Sequence, residues 1–426
     1  MTAREIQDRL AELREAGAKL RRRPARETHA ALARVLDLWS NPDSSWRRRL
    51  ESELPGATGF TRENVREGLA RGLARFRGET FLSLVRAELG DPARLDAARG
   101  SMLSGFDTTA VVLAGAIPQP SLLALLAPLA LRSPVLAKPA SRDPVTAALV
   151  AESIADVDPE LGRCIAIARF GSNDEACLRA LLTADCVAAT GSDASIAALS
   201  ALVAPPRRLV ASGHRLSLAA LGPEALRGPA LDAAAGGIAL DVALWDQQGC
   251  LSPLAVYAVG ADGEAPDRLA EALAQALASL ERLLPRGAQD PAAAVEFRHE
   301  CDGAELRATE IPGVQLLGGP TQRWAVVREV DAAPRRAPLN RFVRVQPVEN
   351  PELLLDSLRP LAAHLAGVAL AGFGSVQDGV ARGLADLGAS RLCQPGELQA
   401  PPLAWHHEGR PVLLPFARFT DRETPL

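Results

Sequence analysis

Lysine is nearly missing from this chain of 426 residues: 47 positions are basic, yet only Lys19 and Lys138 are lysines and the remaining 45 are arginines. Where arginine is the default cation, an internal lysine asks what a compact ammonium does that a planar guanidinium does not. Lys19 falls in a charged helical stretch, whereas Lys138 closes an apolar run. Paired cysteines are missing too. Cys164, Cys177, Cys186, Cys250, Cys301 and Cys393 show no CxxC or zinc-ribbon spacing, so they read as free thiols. No apolar run is long enough to cross a bilayer; the longest uncharged stretch, Thr108 to Leu131, is broken by Pro118-Gln119-Pro120-Ser121 and reads as a buried strand and helix. Met1 to Arg23 is charged throughout and lacks the apolar core of a signal peptide, which predicts a cytoplasmic protein. No charge sign dominates: a net charge of −4 and a pI of about 6.0 give nucleic acid no footing. The short basic runs Arg21 to Arg23 and Arg47 to Arg49 read as solvated helix faces.

Several fingerprints of chemistry are absent as well. No Gly-x-Gly-x-x-Gly follows a strand; Gly372-Phe373-Gly374 begins like one and stops. Gly-x-Ser-x-Gly, His-Glu-x-x-His and P-loop patterns do not occur. His406-His407 finds no third ligand at metal spacing, so no metal is expected.

What is present is enough apolar sequence, 48%, for two domains. The first hundred or so residues read as helices: Thr2 and Glu5 form a capping box ahead of Ile6, Leu10, Leu13 and Leu20 on one face, and Thr61 caps a later helix. From Thr108 apolar runs alternate with amphipathic ones. Strands are predicted near Val111–Ile117, Val135–Lys138, Cys164–Ala168, Cys186–Ala189 and Leu209–Ala211, with helices between. That alternation predicts an α/β fold with a doubly wound parallel sheet, whose ligands bind beyond the carboxyl ends of the strands. Pro205-Pro206 is read as a domain crossing. Beyond it, strands are predicted at Leu254–Val259, Trp324–Val327, Phe342–Val348 and Val368–Ala371, and a proline-rich tail runs from Gln394. The expected domains are 1–206, 207–372 with the nucleophile, and a return segment 373–426.

The strongest local signal is Asp246-Gln247-Gln248-Gly249-Cys250-Leu251-Ser252-Pro253. A helix ends in two amides and a glycine, then presents a thiol just before a strand. Glycine there lets a ligand approach the backbone, and the Cys250 N–H can face an oxyanion. Gln-Gly-Cys resembles the nucleophile segment of the aldehyde dehydrogenase superfamily. Ser133-Pro134-Val135-Leu136-Ala137-Lys138-Pro139-Ala140-Ser141 resembles its cofactor strand, and Thr190-Gly191-Ser192 its turn beside the pyrophosphate. Together with Ser212-Gly213-His214-Arg215 and Trp405-His406-His407-Glu408-Gly409-Arg410, these segments are similar to the fatty acyl-CoA reductase family of bacterial bioluminescence (LuxC-like), from about Ala110 to Phe419.

The resemblance implies an aldehyde-dehydrogenase-like fold, with a cofactor domain and an α/β catalytic domain. It implies NADPH-dependent reduction of an acyl thioester to an aldehyde through a covalent thioester on Cys250. Cofactor contacts fall on Lys138, Ser141, Arg142, Thr190, Gly191 and Ser192; His214 is a candidate proton carrier and Gln119 a candidate oxyanion donor. An acyl-protein synthetase or acyl carrier protein would supply the substrate, and homo-oligomers are expected. Two departures stand out. Where the superfamily has a glutamate that activates water, this chain has Val210-Ala211-Ser212-Gly213-His214, so an acyl-enzyme should resist hydrolysis. Where it has a ribose-binding Glu-x-Phe-Gly-Pro, this chain has Asn340-Arg341-Phe342-Val343. In place of a glutamate after the lysine stands Ser141, which favours a 2′-phosphate. Rival readings are an acid-forming dehydrogenase, an acyltransferase, an acyl-phosphate reductase and a catalytically idle partner subunit.

Overall fold

The structure, a computed structural model, describes residues 1–97, 100–260 and 263–423. Five helices come first: α1 Ala3–Leu20, α2 Ala25–Ser40, α3 Ser45–Thr58, α4 Arg62–Leu73 and α5 Gly78–Leu89. The capping box of Thr2 and Glu5 opens α1, and Thr61 caps α4 by accepting from the Asn64 N–H. Strand β1 is Ser101–Ser104. The next elements alternate: β2 Thr109–Val112, α6 Pro118–Ala130, β3 Val135–Lys138, α7 Thr146–Val157, α8 Pro159–Gly162, β4 Ile165–Ile167, α9 Glu175–Leu181, β5 Cys186–Thr190, α10 Asp193–Leu202 and β6 Arg208–Ser212. The five strands β2 to β6 pair in parallel in the order β4-β3-β2-β5-β6. The chain leaves β2 toward β3 and β4, then crosses back to β5 and β6. Between the carboxyl ends of β2 and β5 lies the switch point, where a doubly wound sheet opens a crevice.

A second sheet follows: β7 Leu216–Leu221, α11 Gly228–Ala243, β8 Pro253–Val259, α12 Ala265–Leu283, α13 Pro291–Glu310, β9 Gln315–Gly319, β10 Trp324–Arg328, β11 Phe342–Val348, α14 Pro351–Leu358, β12 Leu365–Ala371, α15 Gln377–Asp386 and β13 Arg391–Cys393. Its order is β13-β12-β7-β8-β11-β10-β9, parallel except for β9 against β10. Last, β14 Arg418–Asp421 pairs antiparallel with β1, carrying the tail back to the first domain.

Two expected boundaries move. Strand β6 hydrogen-bonds in the first sheet, so the crossing lies at Gly213 to Arg215 and not at Pro206. Strand β13 pairs with β12, so the second domain continues past 372 and the return begins near Gln394; residues 424–426 of that segment lie outside the described ones. Helix α13 went unread in the sequence because it buries only Phe297, Cys301 and Ala304, too thin a stripe to stand out among its charges.

Candidate active site

Strand β8 begins three positions after Cys250, and the backbone that delivers this residue is unusual. Trp245, Asp246 and Gln247 are all left-handed, with φ of 54°, 50° and 63°; Leu339, Asn340 and Arg341 opposite them are left-handed too, at 61°, 58° and 68°. Each such residue costs about 1–2 kcal/mol, so the turns persist only if other contacts over-determine them. Those contacts are present. Asp246 Oδ1 accepts from Arg341 at 2.7 Å and from Asn64 of α4 at 3.1 Å, and its Oδ2 from the Gly287 N–H at 2.9 Å. Gln247 donates to the carbonyls of Pro253 and Phe342 and accepts from the Phe342 N–H, all at 2.8 Å. Asn64 also accepts from the Trp245 N–H at 2.8 Å. Gly249 allows close packing: a Cβ there would stand 2.8 Å from Ile117 Cδ1.

Cys250 opens onto a cavity of about 560 Å³, and among the described residues no other cysteine lines it. Its thiol is pushed up to about 11, chiefly by burial. Its own N–H and the Arg215 cation favour the thiolate, and the Glu408 charge opposes it. The cavity has two characters. Its lining includes the crevice residues Gly115, Thr190, Gly191 and Ser192, with His214. It also includes apolar side chains from α6 (Leu123, Ala124, Ala127) and from the tail (Leu403, Val412, Phe416). The tail is held there by Glu88 of α5, whose carboxylate accepts from the N–H groups of Val412 and Leu413, both at 2.7 Å, and of Leu414 at 3.1 Å.

Of the predicted residues, Cys250, His214, Gln119, Thr190, Gly191 and Ser192 share this cavity, while Lys138, Ser141 and Arg142 stand outside its lining. Ser192 caps α10 by accepting from the Ser195 N–H at 3.2 Å. The His214 N–H donates to Asp193 at 2.7 Å and its ring lies 5.8 Å from that of His364. Gln119 donates to the Gly68 carbonyl at 3.1 Å, and its buried oxygen has no partner; that free atom is an acceptor, not the donor an oxyanion needs. Lys138 is buried with its ammonium 5.3 Å from the Phe170 ring centre, and burial lowers its pKa. Ser141 is exposed and, among the described residues, makes no side-chain hydrogen bond; Asp143 accepts from the Thr146 N–H at 2.9 Å where α7 begins. Arg142 donates to Gln248 at 2.6 Å, so part of the fork expected for a 2′-phosphate is spent on the turn before Cys250. A dinucleotide fits these residues in one respect above all: Gly115 has φ of 82° and nothing within 4 Å of where its Cβ would be, leaving open backbone at the switch point. Among the described residues no group of three or more His, Cys, Asp or Glu is placed to hold a metal, and no helix is long and apolar enough to cross a membrane.

Sequence reasoning missed the Asp246–Arg341 pair, the Glu88 anchor and the charges around Glu408. Asp246, Arg341, Arg215, Glu408 and Arg410 all stand in segments that bear on the resemblance, but nothing in the sequence marks how they pair; Glu88 left no trace.

Solved structures show the class of this fold. A benzaldehyde dehydrogenase from Corynebacterium glutamicum superposes with a TM-score of 0.73 at 16% identity, covering 99% of this chain and 90% of that one. An indole-3-acetaldehyde dehydrogenase solved with NAD+ gives 0.77 at 14% identity, covering 99% and 89%. The fold is aldehyde-dehydrogenase-like. Residues 22–419 match the model of the acyl-CoA reductase (LuxC) family, and the chain belongs to that family. It is similar to long-chain acyl-protein thioester reductases of Photobacterium leiognathi, 23% identical over 74% of this chain, and of Photorhabdus luminescens, 26% identical over 75%. Those matches span 63% and 66% of the relatives' own length, just under two thirds.

Proposed function

We propose that this protein reduces an acyl thioester to an aldehyde through a covalent thioester on Cys250, using NADPH. The observation that carries the reading is the single cavity that joins Cys250, an apolar wall and a switch-point crevice. A thiol at a strained, locked turn is presented to substrate at fixed geometry. Its elevated pKa means that the proton must leave as the sulfur attacks the acyl carbon and the carrier thiol departs. The Cys250 N–H is the candidate donor to the developing oxyanion. The apolar wall from α6 and the tail would take the acyl chain and keep water from the thioester. Ala211 offers no carboxylate to activate water, which favours reduction over hydrolysis.

A nicotinamide dinucleotide bound in the crevice would supply the hydride that converts the enzyme thioester to aldehyde. Thr190, Gly191 and Ser192 would lie against its pyrophosphate. Lys138 and Ser141, with what remains of the Arg142 fork, would face its adenine ribose, and the absence of a carboxylate at Ser141 supports NADPH. A carrier-bound acyl group, from an acyl-protein synthetase or acyl carrier protein, fits the names of the relatives. A cytoplasmic homo-oligomer is part of the same proposal.

The test is NADPH consumption with acyl-CoAs of graded length, beside Cys250→Ala. The variant should lose both reduction and covalent labelling by a radioactive acyl thioester. Labelling that persists in Cys250→Ala, and vanishes on mutation of another cysteine, would overturn the assignment.

A further inference from the structure

The mechanism above leaves the Cys250 proton without an acceptor, and it does not use the stretch from Trp405 to Arg410. His407 lines the same cavity as Cys250, and among the described residues its ring makes no hydrogen bond. The ring is held edge-on to Trp405, centres 4.9 Å apart at 90°, and Trp405 is itself fixed by donating to the Ser390 carbonyl at 2.9 Å. Glu408 follows in a left-handed conformation, φ 56°, with its side chain only 6% exposed. One carboxylate oxygen is held by Arg215 at 3.3 Å and by Arg410; the other, Oε1, is buried without a partner. Arg410 donates onward to the Ala211 carbonyl at 2.7 Å. Arg410 thus ties the buried Glu408 to the end of β6.

We propose that His407 is the catalytic proton carrier for Cys250, with the neighbouring Glu408 carboxylate supporting its imidazolium by charge. This rests on the thioester reading. The neutral imidazole takes the Sγ proton as sulfur bonds to the acyl carbon. The bond from that carbon to the carrier sulfur then breaks, and the imidazolium returns the proton to the departing thiolate. Thiol and acyl thioester become acyl-enzyme and free carrier thiol, with no net change in protons or electrons.

Burial above all favours the neutral His407 ring; of the charges facing it, Glu408 favours the imidazolium and Arg410 and Arg215 oppose it. Resting neutral suits a base, and thiolate and imidazolium formed together in a cavity stabilise each other. His214 is the rival. It is exposed, its ring is tilted at 54° to that of His364, and it stands at the crevice with Asp193.

The experiment uses the whole chain and its His407→Ala and His407→Gln variants, with two readouts across pH. One is transfer of the acyl group from decanoyl-CoA to Cys250 without nicotinamide, followed by mass spectrometry. The other is alkylation of Cys250 by iodoacetamide, which needs no acyl donor. Acylation should fall about 100-fold or more in His407→Ala, lose its acidic limb, and recover in part with added imidazole. Glu408→Gln should move the limb to lower pH, because the imidazolium loses its carboxylate. Acylation within about threefold of wild type, or a loss with the limb unmoved and no rescue, overturns the proposal. If wild type takes no acyl group but its alkylation profile shifts in His407→Ala, the thioester reading fails and the Cys250–His407 pair stands.

Discussion

The two turns that line this cavity are built by opposite means. Thr190-Gly191-Ser192 leaves β5 and enters α10 without a single left-handed residue, and the Ser192 hydroxyl caps the helix locally. The turn before Cys250 needs three left-handed residues, faces three more, and is held by a buried ion pair from the turn before β11. The crevice turn is thus specified by its own few residues. The turn before Cys250 is specified by tertiary contacts, including Asn64 from the N-terminal helices, which makes it more closely defined and more fragile.

The largest effect should follow from breaking the buried pair. Arg341 and Asp246 are 1% and 3% exposed at their side chains, and Asp246→Ala would strand the guanidinium with only Glu281 and backbone carbonyls. Removing one partner of such a pair costs about 3–5 kcal/mol. Ser192→Ala, at the other turn, should cost only about 1 kcal/mol, the usual value of a helix cap. Denaturant unfolding of the two variants checks the contrast, with iodoacetamide labelling to report on Cys250. Equal losses at the two sites would mean that the turn before Cys250 is no more dependent on distant contacts than its counterpart.

This difference also explains what the sequence disclosed. Strand β3 is where the apolar run Val135–Lys138 puts it, and β11 likewise spans Phe342–Val348, because buried parallel strands write themselves as short apolar runs. The Gln-Gly-Cys turn was readable for the same reason: its glycine and thiol are local. What was not readable is long-range. Nothing near Asn64, Glu88 or Arg341 marks them as supports of the site, since each acts through folding partners far away in the chain. The tail read as irregular, and irregular it is; its order comes from Glu88 and from charges on other elements.

A smaller effect belongs to the apolar lining. Ala124 and Ala127 lie one turn apart on α6 and line the cavity, with Leu403 and Phe416 also in the wall. Ala127→Phe would fill the space that a long acyl chain needs. kcat/KM with long-chain acyl-CoAs should fall about tenfold or more, ~1.4 kcal/mol, while short chains are little affected. A uniform loss across chain lengths would place the acyl chain elsewhere.

At the crevice the change should be a shift in preference. Ser141 is exposed beside Lys138, and a carboxylate there would repel a 2′-phosphate while accepting from a ribose hydroxyl. Wild type should favour NADPH over NADH by about tenfold, and Ser141→Glu should cut kcat/KM for NADPH more than for NADH. Equal use of both by wild type, or equal losses in the variant, would remove Ser141 from cofactor choice.

The smallest effect is a pH dependence at Asp241 on α11. Burial pushes its carboxyl up to about 7, although it accepts from the Gly396 N–H at 2.7 Å and from the Gln399 N–H at 3.4 Å. The Gln399 side chain in turn donates to Ser252 at 2.9 Å, and both residues line the cavity beside Cys250. The folded value lies above that of a free carboxyl, about 3.9, so the folded protein binds this proton the more tightly. The resulting stabilisation is full below about pH 4 and is lost as the pH rises through the folded value of about 7. Asp241→Asn cannot titrate and should not show that loss. Between pH 5 and pH 8 the wild-type Tm should therefore drop by roughly 2 °C or more relative to the variant. If the difference in Tm between the two proteins stays constant over that range, Asp241 does not titrate there, and its link through Gln399 to the Cys250 turn is a fixed brace at every pH.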